Sequence, residues 1–236
     1  MPIHSFDLNR FNFPDGISKI LNVPDLAFLH EFYQVSGSRK TDQEGDVFRS
    51  FYDRNDHIRD QYLEFLRSVI LPLFDADLCV QRVPTFRVSM PGGTAVREFH
   101  RDSDYNHQSG TINFWLPVTS AFDTNTVWVE SEPDRGDFRP VNLNPGQMFE
   151  FDGTRLRHGN QSNRTGRTRV SLDFRVIPLT RYRPTGLATL SSGTPLELGG
   201  YYELMTKDGS IQQRSHSADS KIRHGSAVDF GNTRPA

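Results

Sequence analysis

The chain of 236 residues contains one cysteine, Cys79. No internal disulfide can form, which removes the cross-linking typical of small secreted proteins and favours a reducing compartment. Long apolar runs are missing as well, and none approaches the roughly 20 residues a membrane helix needs. Met1 to Phe13 mixes acidic and polar residues and lacks the apolar stretch of a signal peptide. A cytoplasmic protein without a membrane partner is expected. An excess of charge of either sign is absent too: 27 Lys and Arg face 29 Asp and Glu, a net of -2. That balance withholds the broad attraction nucleic-acid binding requires, so no nucleic acid is expected. There is no internal repeat and no low-complexity tract.

What the chain has is a hydrophobic share of 35% with 18 Phe, enough for one aromatic-rich core. The expected organisation is one domain over 1-236. It has a helical part at 1-76, a β core at 77-180 and a C-terminal extension at 181-236 whose end is mobile. Apolar residues at helical spacing, Leu26, Leu29, Phe32 and Tyr33, predict a short helix over 24-35. A longer one is predicted over 46-71, stopped by Pro72. After Cys79 the pattern becomes short alternating runs (83-93, 111-119, 126-131, 147-151, 168-178), and 198-205 is positioned to dock on the body. Many short strands with few helices between them predict a mainly β fold, a double-stranded β-helix or jelly-roll of the cupin-like kind, with the N-terminal helices on one sheet.

The chemistry concentrates in two segments. In 97-REFHRDSDYNHQ-108, His100 and Asp102 are two apart and project to one side of an extended backbone, where both can ligate one metal. Alone, such a pair usually forms a surface hydrogen bond. An imidazole and a carboxylate are, however, two of the three ligands of the two-His-one-carboxylate arrangement, which leaves three iron positions for co-substrate and oxygen. The second segment, 158-HGNQSNRTGRTRVS-171, carries His158 and, 11 residues later (169 minus 158), Arg169. On an extended strand Arg169, Ser171, Asp173 and Arg175 share one face, opposite Val170, Leu172, Phe174 and Val176. A buried guanidinium calls for an anion. A dicarboxylic co-substrate is one answer, and a salt bridge to Asp173 or Glu150 the other.

Taken in order, His100-x-Asp102, the distal His158 and Arg169-x-Ser171 resemble the pattern of the Fe(II)/2-oxoglutarate oxygenases. The stretches 112-INFWLPVT-119, 124-TNTVWVESEPDRGDF-138 and 166-GRTRVSLDFRVIP-178 look like the branch that includes oxygenases of streptomycin-type antibiotic gene clusters. The resemblance implies His100, Asp102 and His158 as iron ligands and catalytic residues. It implies Arg169 and Ser171 as the site for 2-oxoglutarate, and oxygen and a small polar molecule as partners. Hydroxylation with release of succinate and carbon dioxide is the implied default. Asp102 argues against halogenation, because related halogenases carry a small residue there.

Asn113, alternating with Ile112 and Phe114, could face the same cavity and hydrogen-bond 2-oxoglutarate, or simply satisfy a backbone group. Arg87, Asp104, Tyr105 and Arg175 have open roles. His107 is the rival ligand to His100, but lies five residues beyond the His-x-Asp spacing in a loop. His4, His30, His57, His216 and His224 read as surface or packing residues, and 130-137 as a solvated loop. Two other classes remain: a cupin-type metal hydrolase or isomerase using the same triad without 2-oxoglutarate, and a jelly-roll binding module. Oligomeric state is not legible.

Overall fold

In a computed structural model, the described residues are 1–33, 45–54, 56–93, 99–190 and 192–212. The C-terminal end expected to be mobile, with His216 and His224, and the His57 side chain lie outside this set.

The N-terminal part is helical: α1 (Phe13–Leu21), α2 (Leu29–Phe32), α3 (Asp46–Asp53) and α4 (Asp56–Phe65). Sequence patterning missed α1, although its signals are local. The Asn12 side chain accepts the Asp15 N–H, Pro14 sits in the first turn, and Asn22 closes the helix in the left-handed conformation at φ 53°. The long helix expected over 46–71 is two helices. Arg54 breaks it at φ -126°, and the run after α4 widens into a π turn over Leu66–Ile70. Pro72 does not stop it but lies inside a final 3-10 turn, Leu71–Leu73. The helix expected over 24–35 is shorter. Leu26 and Leu29 are buried while Phe32 is 55% exposed, because the segment spends its first turn as 3-10 helix, which shifts the apolar face.

Eleven strands follow or flank these helices among the described residues. One sheet holds β1 (Ile3–Ser5), β2 (Leu78–Gln81), β3 (Thr85–Ser89), β4 (Ile112–Pro117), β7 (Gln147–Phe151), β9 (Arg169–Pro178), β10 (Tyr202–Met205) and β11 (Ile211–Gln212). The smaller sheet holds β5 (Val127–Val129), β6 (Arg139–Pro140) and β8 (His158–Asn160). The large sheet runs β1-β7-β4-β9-β2-β10-β11, with β3 on β9, and the small one β6-β5-β8, every pairing being antiparallel. This is the jelly-roll class expected from the strand pattern, and 198–205 docks as expected, through β10 on β2.

Strand β9 organises the site. One edge carries β4, and the other carries β3 along its first half and β2 along its end. Its outer face, Val170, Leu172, Phe174 and Val176, joins the main core with the helices. There Phe6, Phe11 and Phe13 set their ring edges against Phe65 at 5.0, 5.2 and 5.5 Å, and Phe51 stacks on Phe86 at 4.2 Å. Each fully buried Phe contributes roughly 1.5–3 kcal/mol of burial, with an edge-to-face increment beyond it. The inner face of the large sheet meets the small sheet over a second cluster that includes Trp115, Val127, Val129, Phe149 and Phe151. The polar side chains of β9 are on this inner side.

Candidate metal centre

His100 reaches the small sheet by backbone pairing. Its N–H donates to the His158 carbonyl at 3.0 Å, and the His158 N–H returns to the His100 carbonyl at 2.9 Å. Gly159 permits that approach, since a Cβ there would lie 3.2 Å from Phe99 Cα. Arg101 keeps the chain extended, and Asp102 opens a 3-10 turn, Asp102–Tyr105. The Asp102 N–H donates to the Gly153 carbonyl at 2.8 Å. Three short contacts of different origin thus fix the His-x-Asp segment over β8.

The outcome is a cluster of ligand atoms, one each from His100, Asp102 and His158, all within 4.8 Å of one another. Asp102 Oδ1 lies 3.6 Å from His158 Nε2 and 3.9 Å from His100 Nε2. Atoms bound at roughly 2.0–2.2 Å to one ion lie about 3–4 Å apart, so the spacing suits a shared cation. His158 Nδ1 lies 3.0 Å from the Leu156 carbonyl, an acceptor, so Nδ1 carries the proton and Nε2 presents its lone pair to the cluster. Two imidazoles and one carboxylate fit a divalent transition metal with positions to spare.

Asp102 is buried, which by itself would raise its pKa. The Arg175 guanidinium, aided by His158, more than offsets this and holds the carboxyl well below the usual range. Arg175 Nε donates to Asp102 Oδ2 at 2.8 Å, and Asn113 Nδ2 donates to the same oxygen at 2.6 Å. Neither contact was read from the sequence. Asn113 and Arg175 face each other across β4 and β9, a register that only the folded sheet reveals.

Arg169 and Ser171 lie buried on the inner face of β9. Arg169 Nε donates to the Asn125 carbonyl and Nη1 to Ser171 Oγ, both at 2.9 Å, and the guanidinium stands 5.9 Å from the Trp115 ring centroid. The acids weighed as its salt-bridge partners are engaged elsewhere: Asp173 with Arg87 and Arg175, Glu150 with His4. His107 is outside the ligand cluster. Burial, reinforced by the Arg175 charge, pushes its imidazole down to about 3, so it is neutral, and its ring stands edge-on to Tyr201 at 5.5 Å. Tyr105 packs edge-on against His100 at 5.0 Å, and Asp104 caps its own turn by accepting the Arg101 N–H. In the 130–137 segment the middle is exposed as expected, but Glu130 is fully buried and accepts the N–H groups of Arg157 and Gly136.

A jelly-roll with this triad on its inner face has the fold of the Fe(II)/2-oxoglutarate oxygenases. At the level of fold, the solved structure of CytC3 with Fe(II) and alpha-ketoglutarate superposes with a TM-score of 0.50 and 14% identity, over 88% of this chain and 83% of that one. A nickel complex of the non-heme monooxygenase ThoJ aligns at 0.49 and 13%, over 93% and 85%. No protein-family model matches the sequence. The streptomycin biosynthesis protein StrG of Streptomyces griseus is 34% identical over 198 residues, 84% of this chain and 95% of its own length. The chain belongs to the family of that protein.

Proposed function

We propose that this chain is an Fe(II)- and 2-oxoglutarate-dependent oxygenase that hydroxylates a small polar molecule in antibiotic biosynthesis, in a reducing cytoplasm. The observation that carries the reading is the convergence of His100, Asp102 and His158 on one point of a jelly-roll's inner face. That StrG carries a streptomycin-biosynthesis name and CytC3 was solved with Fe(II) and alpha-ketoglutarate supports the cofactors and the context.

His100, Asp102 and His158 would hold the metal, which when bound supplies hydroxylation of a C–H bond by molecular oxygen, one oxygen atom going to the substrate and the other to succinate as 2-oxoglutarate loses carbon dioxide. Asp102 presents one oxygen, and each imidazole one nitrogen. Arg169, held in a fixed plane by Asn125, Ser171 and the Trp115 ring, has a planar fork suited to a carboxylate and would anchor the distal carboxylate of 2-oxoglutarate beside Ser171. Asn113, expected from sequence to touch 2-oxoglutarate, is assigned instead to Asp102 on the strength of its 2.6 Å contact. The second core cluster behind the site, with Phe149, Phe151 and Trp115, keeps bulk water from one side.

The test is 2-oxoglutarate consumption without added substrate. Iron-loaded native protein should release succinate slowly in air. Asp102→Ala should release none, and Arg169→Ala should need at least tenfold more 2-oxoglutarate for the same rate. Equal rates in native protein and Asp102→Ala would defeat the proposal.

A further inference from the structure

The two oxygens of Asp102 are not equivalent. Oδ1 faces both histidine Nε2 atoms, at 3.6 and 3.9 Å. Oδ2 accepts two hydrogen bonds, from Asn113 Nδ2 at 2.6 Å and Arg175 Nε at 2.8 Å. The Asn113 amide can only be oriented this way, because its oxygen would repel the carboxylate. That orientation leaves Asn113 Oδ1 buried with no partner among the described residues. A buried orphan acceptor destabilises the fold, so Asn113 serves the contact on its other side. Gly153 keeps the space for it: a Cβ there would lie 2.7 Å from Asn113 Nδ2.

Arg175 is braced as well. Its backbone N–H donates to the Gln81 side chain, and its Nη1 reaches Tyr201 Oη at 3.1 Å and Asp173 Oδ2 at 3.5 Å. Asp173 in turn accepts from Arg87 Nε at 2.9 Å. Asp102, Arg175, Asp173 and Arg87 therefore alternate in sign along the inner face, so Arg175 stands beside the ligand set with its charge balanced.

We propose that Arg175 and Asn113 are positioning residues that jointly occupy Oδ2 of Asp102, restricting it to a one-oxygen ligand and so keeping coordination positions open for the co-substrates. A carboxylate free to turn would spend its second oxygen on the ion and close one of those positions. This rests on the reading of His100, Asp102 and His158 as a metal centre.

Cobalt(II) titration tests it through the visible absorption of the bound ion, which reports its coordination, and through affinity. Native protein, Arg175→Met, Arg175→Lys, Asn113→Ala and Asn113→Ser would be compared, with Arg82→Met, which lies on the Glu203 ion pair, as control. In Arg175→Met and Asn113→Ala the freed Oδ2 should join the ion, so the Co(II) band should change shape and lose intensity as the coordination number rises, with affinity no weaker than that of native protein. Arg175→Lys should fall between, since it keeps the charge without the planar fork, and Arg82→Met should match the native protein. Should a larger change fail to fold by circular dichroism, the Lys and Ser variants carry the comparison. A native Co(II) band shape in the folded variants, whatever the affinity, overturns this inference alone. No Co(II) band in native protein overturns the metal centre, and this inference with it.

Discussion

Asp102 is buried where an unpaired carboxylate would be strongly disfavoured, and it is kept ionised by neighbours that reach it from separate strands. The smallest perturbation that bears on it is at a residue with no side chain. In Gly153→Ala the new methyl would stand 2.7–2.9 Å from the Asn113 amide atoms, so Asn113 must move. A loss of about 1–3 kcal/mol is expected, measurable as a lower denaturation midpoint together with an altered Co(II) band; an unchanged midpoint would show the packing to be looser than described. Arg169→Ala should weaken 2-oxoglutarate binding while leaving metal affinity within a few-fold of native, because the Arg169 guanidinium is held by Asn125, Ser171 and the Trp115 ring. Calorimetry with the metal and then with 2-oxoglutarate separates the two. That His100, Asp102 and His158 come together was legible because His100-x-Asp102 and the 11-residue step from His158 to Arg169 are local patterns. The duty of Arg175 was not, because it depends on a cross-strand register and on a loop over 70 residues away in sequence.

Among the elements, the 130–137 connection ties the small sheet to the approach of His158. Glu130 Oε1 accepts the Arg157 N–H at 2.6 Å, and the Glu130 N–H donates to the Arg157 carbonyl at 3.1 Å. Glu130→Ala would leave the Arg157 and Gly136 N–H groups without this acceptor. A cost of about 1–3 kcal/mol is expected, accompanied by faster amide exchange at residues 157–159, and native-like exchange there would contradict the clamp. Strand β9 was readable because polar and apolar residues alternate over eight of its ten positions, Arg169 to Val176. The short strands β1, β6 and β8 were not: two or three residues give no period, and tertiary pairing alone makes them strands. The break between α3 and α4 was missed for the opposite reason, since the apolar spacing continues across it.

For the whole molecule, the helices cover one face of the large sheet and leave the other to the site, so stability and chemistry occupy opposite sides of β9. Cys79 on β2 lies on the site's side of this division, alternating with Leu78 and Val80 of the helix-packed core, in a small separate cluster with Ile177 and Tyr202. Burial pushes its thiol up to about 12, so in the folded protein it remains a thiol at pH 8. Alkylation at pH 8 should fail in native protein and proceed in urea. Between pH 9 and 12 only the unfolded chain would form the thiolate, so this residue lowers stability as pH rises through that window. The jelly-roll was legible from strand spacing and the polar face of β9 from its alternation, yet that the helices pack on the opposite face became clear only in the folded chain. The central claim is that the triad holds iron so that 2-oxoglutarate can bind to it, and anaerobic titration of 2-oxoglutarate into the Fe(II)-loaded protein tests this without knowledge of the substrate. The account predicts a visible charge-transfer band that saturates in native protein and is absent in His158→Ala. Bound iron with no such band in native protein would contradict it.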